Sequence, residues 1–211
     1  MRSSKLPNPK LISNQDELNT FAGKLSQQPI LAVDTESNSL YAYQEQVCLI
    51  QFSTPNIDAL VDPLSLKDLS PLGDIFSNPE IEKVFHAAEY DLLCLKRDFG
   101  FEFTNLFDTM VAARILGWKE VGLGAILESE FGIKVNKRYQ RANWGKRPLP
   151  PHLLAYAQID THYLIPLRKL LYAKLVEKEL LPLAQEDFNR LRFVNSHNCQ
   201  NKSIDFWRIN G

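Results

Sequence analysis

The stretch that decides the fold is Ile30-Leu31-Ala32-Val33-Asp34-Thr35-Glu36, followed at short intervals by Val47-Cys48-Leu49-Ile50-Gln51-Phe52 and Ile57-Asp58-Ala59-Leu60-Val61. Each is a short apolar run, and Ser37-Asn38-Ser39 and Ser53-Thr54-Pro55-Asn56 supply the turns, so three successive strands in an antiparallel meander are expected. Upstream, Ser13-Asn14-Gln15-Asp16-Glu17 offers an N-cap and an acidic first turn for a helix running to about Ser26, which Gln27-Gln28-Pro29 stops. Downstream of Asp62, helical pieces alternate with short strands such as Lys83-Val84-Phe85-His86 and Asn105-Leu106-Phe107. Helices over Tyr90 to Arg97, Thr109 to Leu116 and Leu123 to Phe131 are closed by Gly100, Gly117 and Gly132. Another begins near Pro150-Pro151, where Pro166 is expected to kink it by removing one backbone donor. Helix resumes to about Lys178, and a last one spans Leu181 to Val194. A meander followed by alternating strands and helices indicates an α/β domain with a mixed sheet flanked by helices.

Composition narrows the class. At 211 residues with 45% hydrophobic content, the chain is long enough for one domain with a real core. That domain is expected to cover residues 1–211, with its core at about 28–178 and a C-terminal helical tail over 179–211. Cys48, Cys94 and Cys199 are few and widely spaced, which fits reduced thiols and a cytoplasmic location, and gives no Cys-x-x-Cys pair. His152, His162 and His197 form no ligand-spaced cluster, so zinc is not expected. No stretch approaches the ~18 uninterrupted apolar residues of a membrane span. The net charge of −1 hides an uneven distribution. Lys134, Lys137, Arg138, Arg141, Lys146 and Arg147 fall between Phe131 and Ile159, where there is no acidic residue, leaving 18 basic against 25 acidic residues elsewhere.

Four carboxylates stand out. Asp34 and Glu36 are at i and i+2 of a strand, so both project from one face and can share a hard divalent cation. Asp91 opens a helix whose dipole favours an acid there. Asp160 lies inside an apolar helix, where aspartate has poor propensity, four residues after Tyr156, which puts phenol and carboxylate on the same face. Tyr163, three residues on, is an alternative partner by spacing alone. Asp108, ahead of Thr109, fits an N-cap.

Asp34, Glu36, Asp91 and Asp160, with Tyr156, resemble in order and context the tyrosine-bearing branch of the DEDD exonuclease superfamily, and specifically ribonuclease D. Supporting matches are Val47-Cys48-Leu49-Ile50-Gln51, Leu60-Val61-Asp62-Pro63-Leu64, His86-Ala87-Ala88-Glu89-Tyr90-Asp91-Leu92, Leu106-Phe107-Asp108-Thr109, the run from Gln140 to Leu149, and Tyr156-Ala157-Gln158-Ile159-Asp160. The resemblance implies a ribonuclease H-like fold and a 3′-5′ exonuclease that hydrolyses RNA to nucleoside 5′-monophosphates with two divalent cations, Mg2+ or Mn2+. It implies that Asp34 bridges the ions, that Glu36 and Asp160 complete one site, that Asp91 serves the second through water, and that Tyr156 orients the attacking water. His86 borders the site in that family, where it would help place the nucleic acid, the alternative being a capped, structural histidine. The expected partner is RNA with a single-stranded 3′ end, such as tRNA precursors or other structured RNA; no membrane is implied, and nothing in the sequence sets an oligomeric state.

The basic stretch is the candidate substrate surface. Arg141, Lys146 and Arg147 would neutralise phosphates and Trp144 would stack on an unpaired base; the alternative for Trp144 is core packing beneath the loop. Two departures from ribonuclease D are expected: a catalytic domain without the HRDC domains of full-length members, and Ser37 where an aromatic residue is frequent. Rival readings are a 3′-5′ exonuclease acting on DNA and an inactive nucleic-acid-binding module with the same fold. A haloacid-dehalogenase-like phosphatase is disfavoured because Asp34-Thr35-Glu36 lacks a second aspartate.

Overall fold

A computed structural model describes residues 6–194. In chain order these residues form β1 (Lys10–Ile12), α1 (Gln15–Leu25), β2 (Ile30–Ser37), β3 (Val47–Ser53), β4 (Asp58–Val61), α2 (Ser70–Ser77), β5 (Glu82–Phe85) and α3 (Glu89–Phe99). They continue as β6 (Leu106–Asp108), α4 (Thr109–Ile115), α5 (Leu123–Phe131), α6 (Pro151–His162), α7 (Leu164–Glu177) and α8 (Leu181–Leu191). The strands make one mixed sheet in the order β1-β4-β3-β2-β5-β6. β2, β3 and β4 are the expected antiparallel meander, while β5 pairs parallel to β2 and β6 parallel to β5.

β2 is central, and both its faces are buried, as its unbroken apolar start requires. Leu31 and Val33 point into one core, shared with Phe21, Phe52, Phe76 and Leu92 from α1, β3, α2 and α3. Ala32 points into the other, shared with Ala112, Leu164, Leu171 and Phe188 from α4, α7 and α8. Fully burying an aromatic such as Phe52 or Phe76 contributes ~1.5–3 kcal/mol. On this second side α6 crosses β3 and β4, packing Leu153, Tyr156 and Ala157 on Leu49 and Leu60. The helix ends are built as their sequences suggest. Asn14 accepts from Glu17 N at 3.0 Å, and Gly100 and Gly132 take left-handed φ of 69° and 70°, which would cost other residues ~1–2 kcal/mol.

Three expectations need correction. β1 lies in a segment read from sequence as a polar lead, yet it adds a parallel edge strand to β4. The helix from Pro150 is not kinked at Pro166 but ends at His162, and Pro166 sits in the first turn of α7, where a missing N–H breaks no intrahelical bond. β2 runs on to Ser37, so Asp34 and Glu36 lie within the strand, as their i and i+2 spacing requires, whereas the last helix falls short of the Val194 expected for it. α8 stops at Leu191; the remainder of the expected tail, with His197 and Cys199, lies outside the described residues. Cys48 and Cys94 are free and buried. Among the described residues no helix is long and apolar enough to cross a membrane.

Candidate active site

The sheet order places β2 between an antiparallel and a parallel neighbour, and α6 lies over the face from which Asp34 and Glu36 project. Asp160, on α6, therefore descends onto the two strand acids. Ligand oxygens of Asp34, Glu36 and Asp160 all lie within 4.8 Å of one another, and each residue keeps partial solvent access. Asp91 stands outside this trio. It reaches β2 from the opposite face, where Thr35 donates its hydroxyl to Asp91 Oδ1 at 2.5 Å.

Clustered charge without a counter-charge dominates the electrostatics. Burial, then the charge of Asp160, raises the Asp34 carboxyl well above its usual range, against a bond from the Thr35 backbone. Glu36 is raised by burial and then by Asp34, Asp160 and Asp91. Asp91 is raised by burial and Asp34, with the Thr35 hydroxyl opposing. Asp160 is pushed up to about 8 by burial, with Tyr156 opposing and Asp91 adding. Among the described residues no lysine or arginine forms an ion pair with any of the four. An uncompensated set of anionic oxygens at this spacing fits hard divalent cations.

Tyr156 is held as the helical spacing implies. Its hydroxyl lies beside the Asp160 carboxyl, whose ionised form it favours, and beside the Gln140 side chain, while its ring lies 6.2 Å from Trp144 and 5.8 Å from Tyr139. Burial and the neighbouring carboxylates raise its pKa, so the phenol stays protonated. Tyr163 instead packs on Phe131 at 5.8 Å. Asp108 is the N-cap of α4, accepting from Met110 N and Val111 N, and it also accepts from Ala87 N and Ala88 N. That bracing holds the β5 to α3 connection, where Ala87 has φ of 60°, and so sets where α3 starts and where its third residue, Asp91, is placed. His86 Nδ1 is 2.8 Å from Thr109 Oγ1, and burial lowers its pKa to about 4, which keeps the ring neutral.

The structure decides two residues of the substrate surface, taking the core-packing alternative for Trp144 and withdrawing Arg147 from the phosphate contacts. Trp144 is only 1% exposed and packs beneath Tyr156, so its face is not available to a base. Arg147 is consumed structurally. Its Nε and Nη2 grip both oxygens of Asp62 at 2.7 Å, Nη2 also donates to Cys48 O, and Nη1 donates to Trp144 O and Lys146 O. Guanidinium has five N–H donors, and all five are used here, leaving none for a phosphate. Arg138, Arg141 and Lys146 are exposed on the same segment, whose Arg141 carbonyl accepts from Tyr41 Oη at 2.6 Å. That bond joins the segment before α6 to the loop after β2.

Three contributors escaped the sequence reading. Thr35 ties Asp91 to the strand, and its signal was the odd position between two acids. Gln140 heads a run that matches ribonuclease D and lies in the basic stretch, but nothing there marked a role of its own. Gln51 sits opposite Asp34 in the β2–β3 register and is wholly buried.

A family model described as 3′-5′ exonuclease matches residues 9–176. The exosome complex exonuclease RRP6 of Saccharomyces cerevisiae is 38% identical over 174 residues, which is 82% of this chain and 24% of that protein. The catalytic core of RRP6 from Trypanosoma brucei superposes with a TM-score of 0.85 at 30% identity, covering 92% of this chain and 56% of that one. Escherichia coli RNase D, described as an exoribonuclease involved in structured RNA processing, does so with a TM-score of 0.83 at 30% identity, covering 89% and 50%. The chain thus spans a quarter of the yeast relative and about half of each solved chain. Matched over most of its length, with an acid trio and its tyrosine in place on a ribonuclease H-like sheet, the chain belongs to the 3′-5′ exonuclease family, as a DEDD domain related to Rrp6 and RNase D.

Proposed function

We propose that the chain is a divalent-metal-dependent 3′-5′ exoribonuclease that releases nucleoside 5′-monophosphates from RNA with a single-stranded 3′ end, tRNA precursors being one such substrate. The observation that carries this reading is the convergence of Asp34, Glu36 and Asp160 within 4.8 Å, with Tyr156 beside Asp160. Two Mg2+ or Mn2+ ions would be held by Asp34, Glu36 and Asp160, with Asp91 behind β2 serving one of them. Bound there, they supply Lewis acidity that polarises the phosphoryl group and eases deprotonation of an attacking water.

The remaining work belongs to the chain. Tyr156 stays protonated and is fixed by Trp144, Tyr139, Gln140 and Asp160, so its hydroxyl orients the attacking water rather than taking its proton. Arg138, Arg141 and Lys146 would neutralise the phosphates of the incoming strand, because they are exposed on the segment that delivers Gln140 to Tyr156.

The test is the product ladder from matched RNA and DNA oligonucleotides with 3′ overhangs, in Mg2+, Mn2+ or chelator. Stepwise shortening of RNA from its 3′ end, abolished by chelator and by Asp34→Asn, is the expected result. Preferential digestion of DNA would reassign the substrate, and binding without metal-stimulated product would leave only the nucleic-acid-binding module.

A further inference from the structure

Gln51 is 0% exposed, and neither atom of its side-chain amide has a hydrogen-bond partner among the described residues. Leaving such groups unpaired costs ~1–3 kcal/mol each, so an amide kept in this position needs a partner in the working state. The strand geometry limits the choice. Side chains directly opposite each other in a sheet share a face, with Cβ atoms ~4.5–5.5 Å apart. Gln51 has Asp34 opposite it on β2 and Leu60 opposite it on β4. Its own-strand neighbours on that face are Leu49 and Ser53, and the Ser53 hydroxyl is already engaged with Asp58 and Thr161, both at 2.7 Å. Two of the four neighbours are apolar and one is occupied. Within the sheet, Asp34 is what remains.

We propose that Gln51 is a positioning residue for the metal centre: its Nε2–H donates to the Asp34 carboxylate when that carboxylate holds a divalent cation, fixing the orientation in which it ligates. This rests on Asp34 being a metal ligand. A ligating carboxylate has lone pairs that the cation does not use, and an outer donor that fixes them typically changes metal affinity or activity by 10–100-fold. The Gln51 amide is itself wholly buried, so its bond to a charged acceptor is made in a low-dielectric setting where such a bond is strong.

The experiment measures Mn2+ binding by calorimetry, and the melting temperature in chelator, for the wild type and Gln51→Met. Methionine keeps the length and apolar stem of the side chain while removing both hydrogen-bonding groups. The expected result is an affinity for Mn2+ lower by about 10–100-fold, with a chelated protein at least as stable as wild type because two unpaired groups are gone. Mn2+ affinity within twofold of wild type would overturn the proposal, as would a lower melting temperature in chelator with affinity retained, which is the mark of a purely structural glutamine. Should Gln51→Met not fold, the wild type decides. The Gln51 side-chain amide resonances must shift when 15N-labelled protein is saturated with Mg2+, and unmoved resonances refute the contact. A wild type that binds no Mn2+ would overturn the exonuclease reading itself, whereas equal binding by wild type and Gln51→Met would remove only the role of Gln51.

Discussion

If the acid trio holds a cation, metal binding must displace the proton that burial keeps on Asp160, and metal-dependent stability must then depend on pH. The Asp160 carboxyl is raised from 3.8 to about 8 in the folded chain. The sign follows from linkage. Between these values the folded state holds a proton that the unfolded state has released, so in chelator the protein loses stability as pH rises from about 4 to about 8. A cation binding only the native state at 100 times its dissociation constant adds about 2.7 kcal/mol. For a chain of this size that corresponds to roughly 5–10 °C in melting temperature. Below about pH 8 each unit of acid weakens binding about tenfold, because a ligand must first be deprotonated. At the same free metal, the gain at pH 6 therefore falls to about 0.4 kcal/mol, roughly 1 °C. Differential scanning calorimetry at pH 6, 7 and 8, with Mg2+ or chelator, reads this directly. Equal metal-induced shifts at pH 6 and pH 8 would refute the argument that Asp160 is protonated in the free site and ligating in the loaded one.

Other expectations concern single side chains. Tyr156→Phe keeps the ring packed on Trp144 and Tyr139 but loses the hydroxyl, so kcat is expected to fall about 100-fold with KM and melting temperature near wild type; a loss under threefold would deny the phenol a role in orienting water. Asp62→Asn strips Arg147 of its ion pair. Burial would raise the Asp62 carboxyl, yet its bonds from Arg147 and Ser65 hold it below the usual range, and their loss is expected to cost about 2–4 kcal/mol in urea unfolding, less than for a fully buried pair since Arg147 keeps some solvent access. Lys83 is fully buried, with its ammonium on Asn78 O at 2.7 Å and a pKa lowered to about 8 by burial. The folded state thus disfavours the charge and stability rises with pH between about 8 and 10.5, so Lys83→Met is expected to stabilise the protein at pH 7 by about 1–3 kcal/mol, measured by the same unfolding curves.

What the sequence reveals about this site follows the range of the physics involved. Asp34 with Glu36, and Tyr156 with Asp160, are pairs whose spacing alone sets a shared face, so two periodicities place four of the five residues on two surfaces. That the surfaces meet depends on α6 crossing β2 and β3, which only the order of motifs along the chain suggested. β1 was missed for a related reason: three residues at a sheet edge carry no period of their own, and their pairing with β4 is decided some fifty residues away. Arg147 shows the opposite error, and Trp144 an ambiguity that the structure resolves towards core packing. Local composition counts a positive charge and an aromatic ring but does not register whether a distant carboxylate has already taken the donors, or whether a helix has closed over the ring. Asp62, 85 residues from Arg147, makes that decision. The same logic separates the basic residues of this segment: Arg138, Arg141 and Lys146 remain free to meet a phosphate because their side chains face solvent, whereas Arg147 builds the platform that carries them. What separates Arg147 from the three exposed cations is that its five donors are already taken, those of Nε and Nη2 by partners distant in sequence, which the local sequence does not show.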